Sequence, residues 1–141
     1  MKKTMVICVM AGLFAGLALG LAIRAGEAPK PKATELLRSD LEIECGDHPC
    51  LEVMVSEVEV PAGAVLAKHY HHGEEFLYVL SGSAKVWYKD RPAVAVKQGD
   101  VHKIPMGLAH TAIPGDKGVK ALVFRVIEKG KPVRVNVEEG E

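Results

Sequence analysis

Short apolar runs separated by turn residues fill the chain between residues 41 and 137, and they constrain the fold more than any other feature. The runs are rich in valine, as in Glu52–Val60 and Val119–Glu128, and most of the 14 glycines fall between such runs. Turn-forming residues at 81–83 and 114–118 predict a turn and a loop there, each between separate strands. Outside the N-terminus, no stretch has the 3.6-residue period of an amphipathic helix. Runs of this length and spacing predict an all-β domain, as a sandwich or a small barrel.

A pair of histidines forms the first candidate site. His69 and His71 follow a run that reads as a strand, and residues two apart on a strand point to the same side. A tight turn at Gly73 and a second strand would bring Glu75 beside both imidazoles. These three groups suit a divalent metal, but a histidine on an edge strand is often only a surface residue. This segment alone therefore leaves a metal site and a polar surface equally open.

The N-terminal residues predict export. A basic start is followed by an apolar block at residues 4–23, and small residues lie near its end. This order is typical of a cleaved signal peptide at residues 1–25, although the block is also long enough to anchor the protein in a membrane. Either interpretation places the rest of the chain outside the cytoplasm, in the periplasm or tethered to the inner membrane. Residues 26–40 then read as a linker, 41–137 as the β-domain and 138–141 as a tail.

Two cysteines outside the N-terminal block are separated by the turn-forming sequence G-D-H-P. Cys45 and Cys50 could meet across the mouth of a hairpin, and an oxidising compartment would preserve the bond. A redox or metal role that involves His48 is the alternative. Because C-x-x-C spacing would be the stronger sign of either role, we expect a structural disulfide.

Charge and composition exclude one class of partner. The chain has 18 basic and 18 acidic residues, so no basic surplus is available to neutralise phosphates. Only 5% of the residues are aromatic, too few for a platform that stacks bases. We therefore expect a small-molecule ligand and no nucleic acid.

Two sequence motifs carry a family resemblance. The first has the spacing G-x5-H-x-H-x3-E-x6-G, and the second has G-x5-P-x-G-x2-H. They are formed by Gly63, His69, His71, Glu75 and Gly82, and by Gly99, Pro105, Gly107 and His110. Together they resemble the paired motifs of the cupin superfamily, in particular its small single-domain bacterial members. One departure is Pro114, which stands where the family usually has a structural asparagine.

The resemblance implies a double-stranded β-helix, or jelly-roll barrel, with a metal inside. By residue-for-residue match, His69, His71, Glu75 and His110 would be the ligands of one divalent ion, such as Fe, Mn, Ni, Zn or Cu. The family also implies a homodimer. Leu77 and Val79 share the strand face of Glu75, so we expect them to form an apolar wall beside the site.

The family resemblance leaves three kinds of function open. The first is a metal-dependent enzyme, either a quercetinase-like dioxygenase in which Glu75 doubles as an acid or base, or an isomerase. The second is a non-catalytic module that binds a sugar or an organic anion through the metal. The third is a metal that only stabilises the fold. Because one site class supports many reactions, the sequence does not choose among them.

Overall fold

A computed structural model describes residues 27–137 as an all-β domain, and no helix occurs in that range. Its strands, in chain order, are β1 (Lys32–Asp40), β2 (Leu51–Val60), β3 (His69–Tyr70), β4 (Gly73–Tyr88), β5 (Arg91–Lys97), β6 (Val101–Ile104), β7 (His110–Glu128) and β8 (Val135–Asn136). The prediction of an all-β domain is confirmed. Accordingly, nothing within residues 27–137 is a helix with the length and hydropathy needed to cross a bilayer. The predicted signal or anchor helix at residues 1–25 lies outside the described residues.

The eight strands form one antiparallel sheet centred on β7. One path through the sheet runs β1-β2-β7-β3-β8, and β4 pairs with β7, β5 and β6. The C-terminal half of β7 thus lies between β2 and β4. Because neighbouring strands twist relative to one another, a sheet of this size curls. The resulting half-barrel is consistent with the jelly roll that the family resemblance implies.

Two long strands bend the sheet. β4 has 16 residues and β7 has 19, and their pairing shifts register on both sides of Gly82. Gly82 has a φ of 74°, and a Cβ atom there would lie 2.1 Å from the carbonyl oxygen of Gly118. Both facts require glycine at this position. The turn predicted at residues 81–83 and the loop predicted at 114–118 are therefore bends inside continuous strands.

The first strand corrects the predicted domain boundary. Residues 26–40 were predicted to be a linker, but Lys32–Asp40 forms β1 and pairs with β2 from Lys32 opposite Glu59 to Asp40 opposite Glu52. Every side chain of β1 is exposed, so the strand carries no alternating apolar pattern. Backbone pairing with β2 holds it instead. The sheet therefore begins at residue 32.

The first histidine lies on a much shorter strand than predicted. Only His69 and Tyr70 form β3, whereas the sequence predicted a strand over residues 64–71. The chain then bends at His72, and Gly73 is already the first residue of β4. At Gly73 a Cβ atom would lie 2.0 Å from the carbonyl oxygen of Val126, so β4 and β7 approach too closely here for any other residue.

A cavity of about 400 Å³ lies within the curled sheet. Its apolar lining comes mainly from inward-facing residues of β2, β4, β5, β6 and β7. The most deeply buried of these are Val60, Val79, Val86 and Ile104, none more than 2% exposed. Such alternation of inward apolar and outward polar residues is what fills a small barrel. The sheet thus encloses a mostly apolar chamber.

Candidate metal centre

Three buried histidines meet at one side of the cavity. His69 of β3 pairs directly with His110, the first residue of β7, and His71 follows β3 by one residue. Their exposures are 5%, 3% and 3% for His69, His71 and His110. One ring nitrogen from each lies within 4.8 Å of the others. Residues far apart in sequence are thus assembled by the pairing of β3 with β7.

Each of these imidazoles is oriented by a backbone carbonyl. Nδ1 of His69 lies 2.9 Å from the carbonyl oxygen of Ala67, and Nδ1 of His110 lies 2.8 Å from that of Leu108. Nδ1 of His71 bonds to the carbonyl oxygen of Val133. A carbonyl can only accept, so Nδ1 must donate its proton in all three rings. In a neutral ring Nε2 then carries the lone pair, which is the tautomer that metal-binding histidines use.

The free ring nitrogens lack protein partners. Nε2 of His71 and Nε2 of His110 are buried and accept no hydrogen bond from residues 27–137. Burial also lowers the pKa of His110, and burial together with His110 lowers the pKa of His69 from 6.5 to about 3. The rings of His69 and His110 are therefore neutral at physiological pH. A buried, unpartnered lone pair is costly unless a further group engages it.

Glu75 lies beside this group and is held by a side chain that the sequence analysis did not identify. Its Oε2 accepts a 2.7 Å hydrogen bond from Nε of Arg125, which stands directly opposite in β7. The same oxygen lies 2.9 Å from Nε2 of His71. Glu75 is 5% exposed and Arg125 is 9% exposed. The carboxylate thus touches the histidine group while it is paired with a buried cation.

The charge state of Glu75 follows from these neighbours. Burial alone would raise the pKa of this carboxyl, but His71 and the positive charge of Arg125 outweigh it and lower the pKa to about 2. Glu75 is therefore ionised throughout the physiological range, and a group with so low a pKa is a weak base. This state suits a metal ligand better than the acid or base role expected from the sequence.

The donor set fits a divalent ion. Three imidazoles, each oriented through Nδ1, and one ionised carboxylate are nitrogen and oxygen ligands of the kind that Fe, Mn, Ni, Zn or Cu accepts. None of the four is a thiolate, in contrast to most structural zinc sites. Each histidine also has the backbone acceptor that usually accompanies a ligand. The four residues that the family resemblance assigns are thus close together in a chemically suitable state.

Two arginines complete this side of the cavity. Arg125 and Arg134 both line it together with the histidines, and Arg134 immediately precedes β8, which pairs with β3. We define His69, His71, Glu75, His110, Arg125 and Arg134 as the polar end of the cavity. The position of Arg125 in the sequence already indicated that its side chain is buried. It occupies the same strand phase as the buried residues Ala121, Val123 and Ile127, where a charge is unusual.

The remaining predicted residues have the following positions. Leu77 and Val79 line the cavity as an apolar wall next to the site. His102 of β6, a further histidine, is half-buried and hydrogen-bonds the hydroxyl of Tyr88. The Cys45–Cys50 disulfide is present and closes the turn between β1 and β2, which confirms that prediction.

Comparisons with known proteins show which family and which solved structures this chain resembles. The cupin domain family matches residues 56–125, a range that includes all four predicted ligands. The DMSP lyase DddQ from Ruegeria pomeroyi has a similar structure, with a TM-score of 0.56 and 26% identity. That match covers 76% of this chain and 54% of the lyase, so the chain spans about half the length of the lyase. A comparison with curated protein sequences finds no match.

Two further structures are similar over most of their length. The polyketide cyclase RemF from Streptomyces resistomycificus has a TM-score of 0.56 and 26% identity, covering 83% of this chain and 79% of the cyclase. A Klebsiella pneumoniae protein with a double-stranded β-helix domain has a TM-score of 0.59 and 21% identity, covering 78% and 86%. With the curled antiparallel sheet and the family match to residues 56–125, these findings show that the chain belongs to the cupin superfamily.

Proposed function

We propose that this cupin is a metal-dependent enzyme that acts on a small molecule bound in its cavity. His69, His71, His110 and Glu75 would hold one divalent ion of Fe, Mn, Ni, Zn or Cu. The observation that carries the proposal is the common orientation of the histidines, because each Nδ1 bonds a backbone carbonyl. The two buried Nε2 atoms without a partner support the same proposal.

A bound divalent ion would supply Lewis-acid chemistry at this site. The residues of this chain would contribute the rest. The carbonyls of Ala67, Leu108 and Val133 fix the imidazoles, and Arg125 keeps Glu75 ionised. The largely apolar chamber excludes water from a bound substrate, which strengthens each electrostatic contact within it.

Similarity to named enzymes favours catalysis over a non-catalytic module or a purely structural metal. The two structures at 26% identity are described as a lyase and a cyclase. The oxygen-using reaction implied by the family stays a prediction. Uptake of O2 with flavonols, diketones and phenolic acids is the measurement that tests it, and absence of uptake during turnover of another substrate would exclude a dioxygenase.

We also propose that the protein works outside the cytoplasm. The supporting observations are the basic and apolar start of the sequence and the Cys45–Cys50 disulfide, a bond that persists in oxidising compartments. Fractionation of cells that express the full chain tests this, and recovery in the cytoplasmic fraction with free thiols would contradict it.

The metal proposal is tested by elemental analysis of variants. The full chain should carry one divalent ion, and His71→Ala and His110→Ala should each lower metal affinity at least tenfold. His72→Ala is the matched control, because His72 is adjacent in sequence but outside the histidine group, and it should keep its metal. Full occupancy in His110→Ala would overturn the assignment. Turnover that disappears with the metal and returns on reloading would establish the enzymatic role.

A further inference from the structure

The polar end of the cavity carries an excess of positive charge from the protein itself. Arg125 and Arg134 contribute two cations and Glu75 one anion, which leaves one positive charge before any metal is counted. The whole chain is neutral, so this excess is local. The other charged lining residues are Lys32, Glu35 and Arg38 of β1, and Arg38 is paired with Glu35 and with Glu52 of β2. With Lys32 counted, these four charges sum to zero.

Arg125 has donors to spare. A guanidinium has five N–H donors, and the only hydrogen bond that Arg125 makes within residues 27–137 is the one from Nε to Glu75. Its two terminal nitrogens lack an acceptor in the described chain, although the residue is only 9% exposed. Paired N–H groups of this kind match the two oxygens of a carboxylate.

Arg134, the second arginine of the polar end, is held by two hydrogen bonds. Its Nε donates to Oδ1 of Asn136 and its Nη2 donates to the carbonyl oxygen of Ala67, both at 2.9 Å. Nη1 makes no hydrogen bond with the part of the chain that is described. Burial, and then the positive charge of Arg125, lower the pKa of Arg134, as expected of two neighbouring cations. Their repulsion is relieved when an anion lies between them.

Away from the polar end and from β1, the cavity is apolar. Leu77, Val79, Val86 and Val123 line it, and Ser56 is the one uncharged hydroxyl among the lining residues of the described chain. A sugar needs many hydrogen-bonding partners, because an unpaired hydroxyl is costly when buried. A ligand with one charged group and an apolar body satisfies this chamber better. Its volume of about 400 Å³ is at the lower end for small-molecule sites.

We propose that the cavity binds a small carboxylic acid as its anion, with the carboxylate held by Arg125 and Arg134 and the apolar body against the wall of Leu77, Val79, Val86 and Val123. This rests on the proposed function, because it names the substrate class of the same site. Arg125 then has two partners, the ligand residue Glu75 on one side and the substrate on the other. The two arginines determine specificity and position the substrate beside the metal ligands.

The test compares two isosteric probes, benzoate and its neutral amide, benzamide. Their binding to the full chain is measured by titration calorimetry, in metal-free and metal-loaded protein. Benzoate should bind at least tenfold more tightly than benzamide in both states, since a charge-assisted pair outweighs a neutral hydrogen bond. Equal affinity for the two probes in both states would overturn the proposal.

Substitutions identify the arginines as the source of the preference. Arg134→Gln and Arg125→Lys should each weaken benzoate binding about tenfold and leave benzamide binding unchanged. Arg91→Gln removes an exposed guanidinium outside the cavity and should change neither. Arg134→Gln keeps the test decisive if Arg125→Lys fails to fold, because the hydrogen-bond partners of Arg134, Ala67 and Asn136, are exposed. If either substitution weakens the binding of benzoate and benzamide equally, or weakens neither, the assignment is refuted.

Failure of this inference can be told apart from failure of the proposed function. A preference for benzoate in metal-free protein, with no ion recovered by elemental analysis, would retain the carboxylate site and remove the metal enzyme. One bound ion without a preference for benzoate would retain the metal site and remove the carboxylate site.

Discussion

The two ends of the cavity share β4 and β7 but depend on different interactions. At the polar end, three histidines, Glu75 and Arg125 are each less than 10% exposed, and their buried polar atoms need specific partners. At the apolar end, Val79, only four residues or about 13 Å further along β4, needs only close packing. Hydrogen bonding and charge pairing thus specify the polar end, whereas the apolar end depends on close packing.

The largest effect should come from separating Glu75 from Arg125. Arg125→Gln leaves a buried carboxylate without its cation, and this should lower the free energy of unfolding of the metal-free protein by about 3–5 kcal/mol. The measurement is chemical denaturation near neutral pH. The double variant Glu75→Gln/Arg125→Gln should regain most of the loss, because the uncompensated charge is gone. A cost below about 1 kcal/mol for the single variant would show that the polar end contributes little to stability.

A smaller effect is expected at the apolar end. Val79→Ala removes buried methyl groups from a fully buried position and should lower the free energy of unfolding by about 2 kcal/mol. Metal affinity should not change, since Val79 touches none of the ligand atoms. Val101→Ala, at a position 73% exposed, is the control and should cost less than about 0.5 kcal/mol. Loss of metal in Val79→Ala would show that the two ends are not separable.

The smallest effect should be seen on mild acidification of the metal-free protein. The pKa of His69 is about 3 in the folded state against 6.5 normally, so the unfolded chain binds more protons below pH 6.5. Stability should thus be constant above this pH and fall below it, by roughly 1 kcal/mol between pH 7 and pH 6. Glu75 adds a loss of the same sign between pH 4.5 and about 2. Thermal melts between pH 7 and pH 2 measure this loss of stability. Stability that rises on acidification would contradict the assigned protonation states.

Local sequence patterns predicted the histidines and the strand-rich fold. His69, His71 and Glu75 lie close together along the chain, and a period of two residues indicates which side of a strand each occupies. Arg125 was missed, although it lies on the buried face of β7. The run Val119–Glu128 is apolar overall, and a single charge within such a run is usually a residue on the solvent side. The strand phase of that arginine is a signal that can be used in similar sequences.

Other features depend on contacts that no local pattern encodes. β1 has only exposed side chains, so its pairing with β2 leaves no trace in hydrophobic periodicity. Arg134 reaches the site because β8 pairs with β3, more than sixty residues earlier in the chain. The long strands β4 and β7 were predicted as separate pieces, since glycine and proline at a bend resemble those at a turn.

The bond between Nδ1 of His71 and the carbonyl oxygen of Val133 spans 62 residues. The segment that follows β7 therefore contributes twice to the site. The carbonyl of Val133 orients the ring of His71, and Arg134 adds a cation to the cavity. The main pairings of β7 end at Glu128, so proteolysis just beyond this residue would leave the body of the sheet intact. It would nevertheless free the ring of His71 and remove a cation from the cavity. During synthesis, likewise, the binding chemistry is completed only after Val133 and Arg134 have been made.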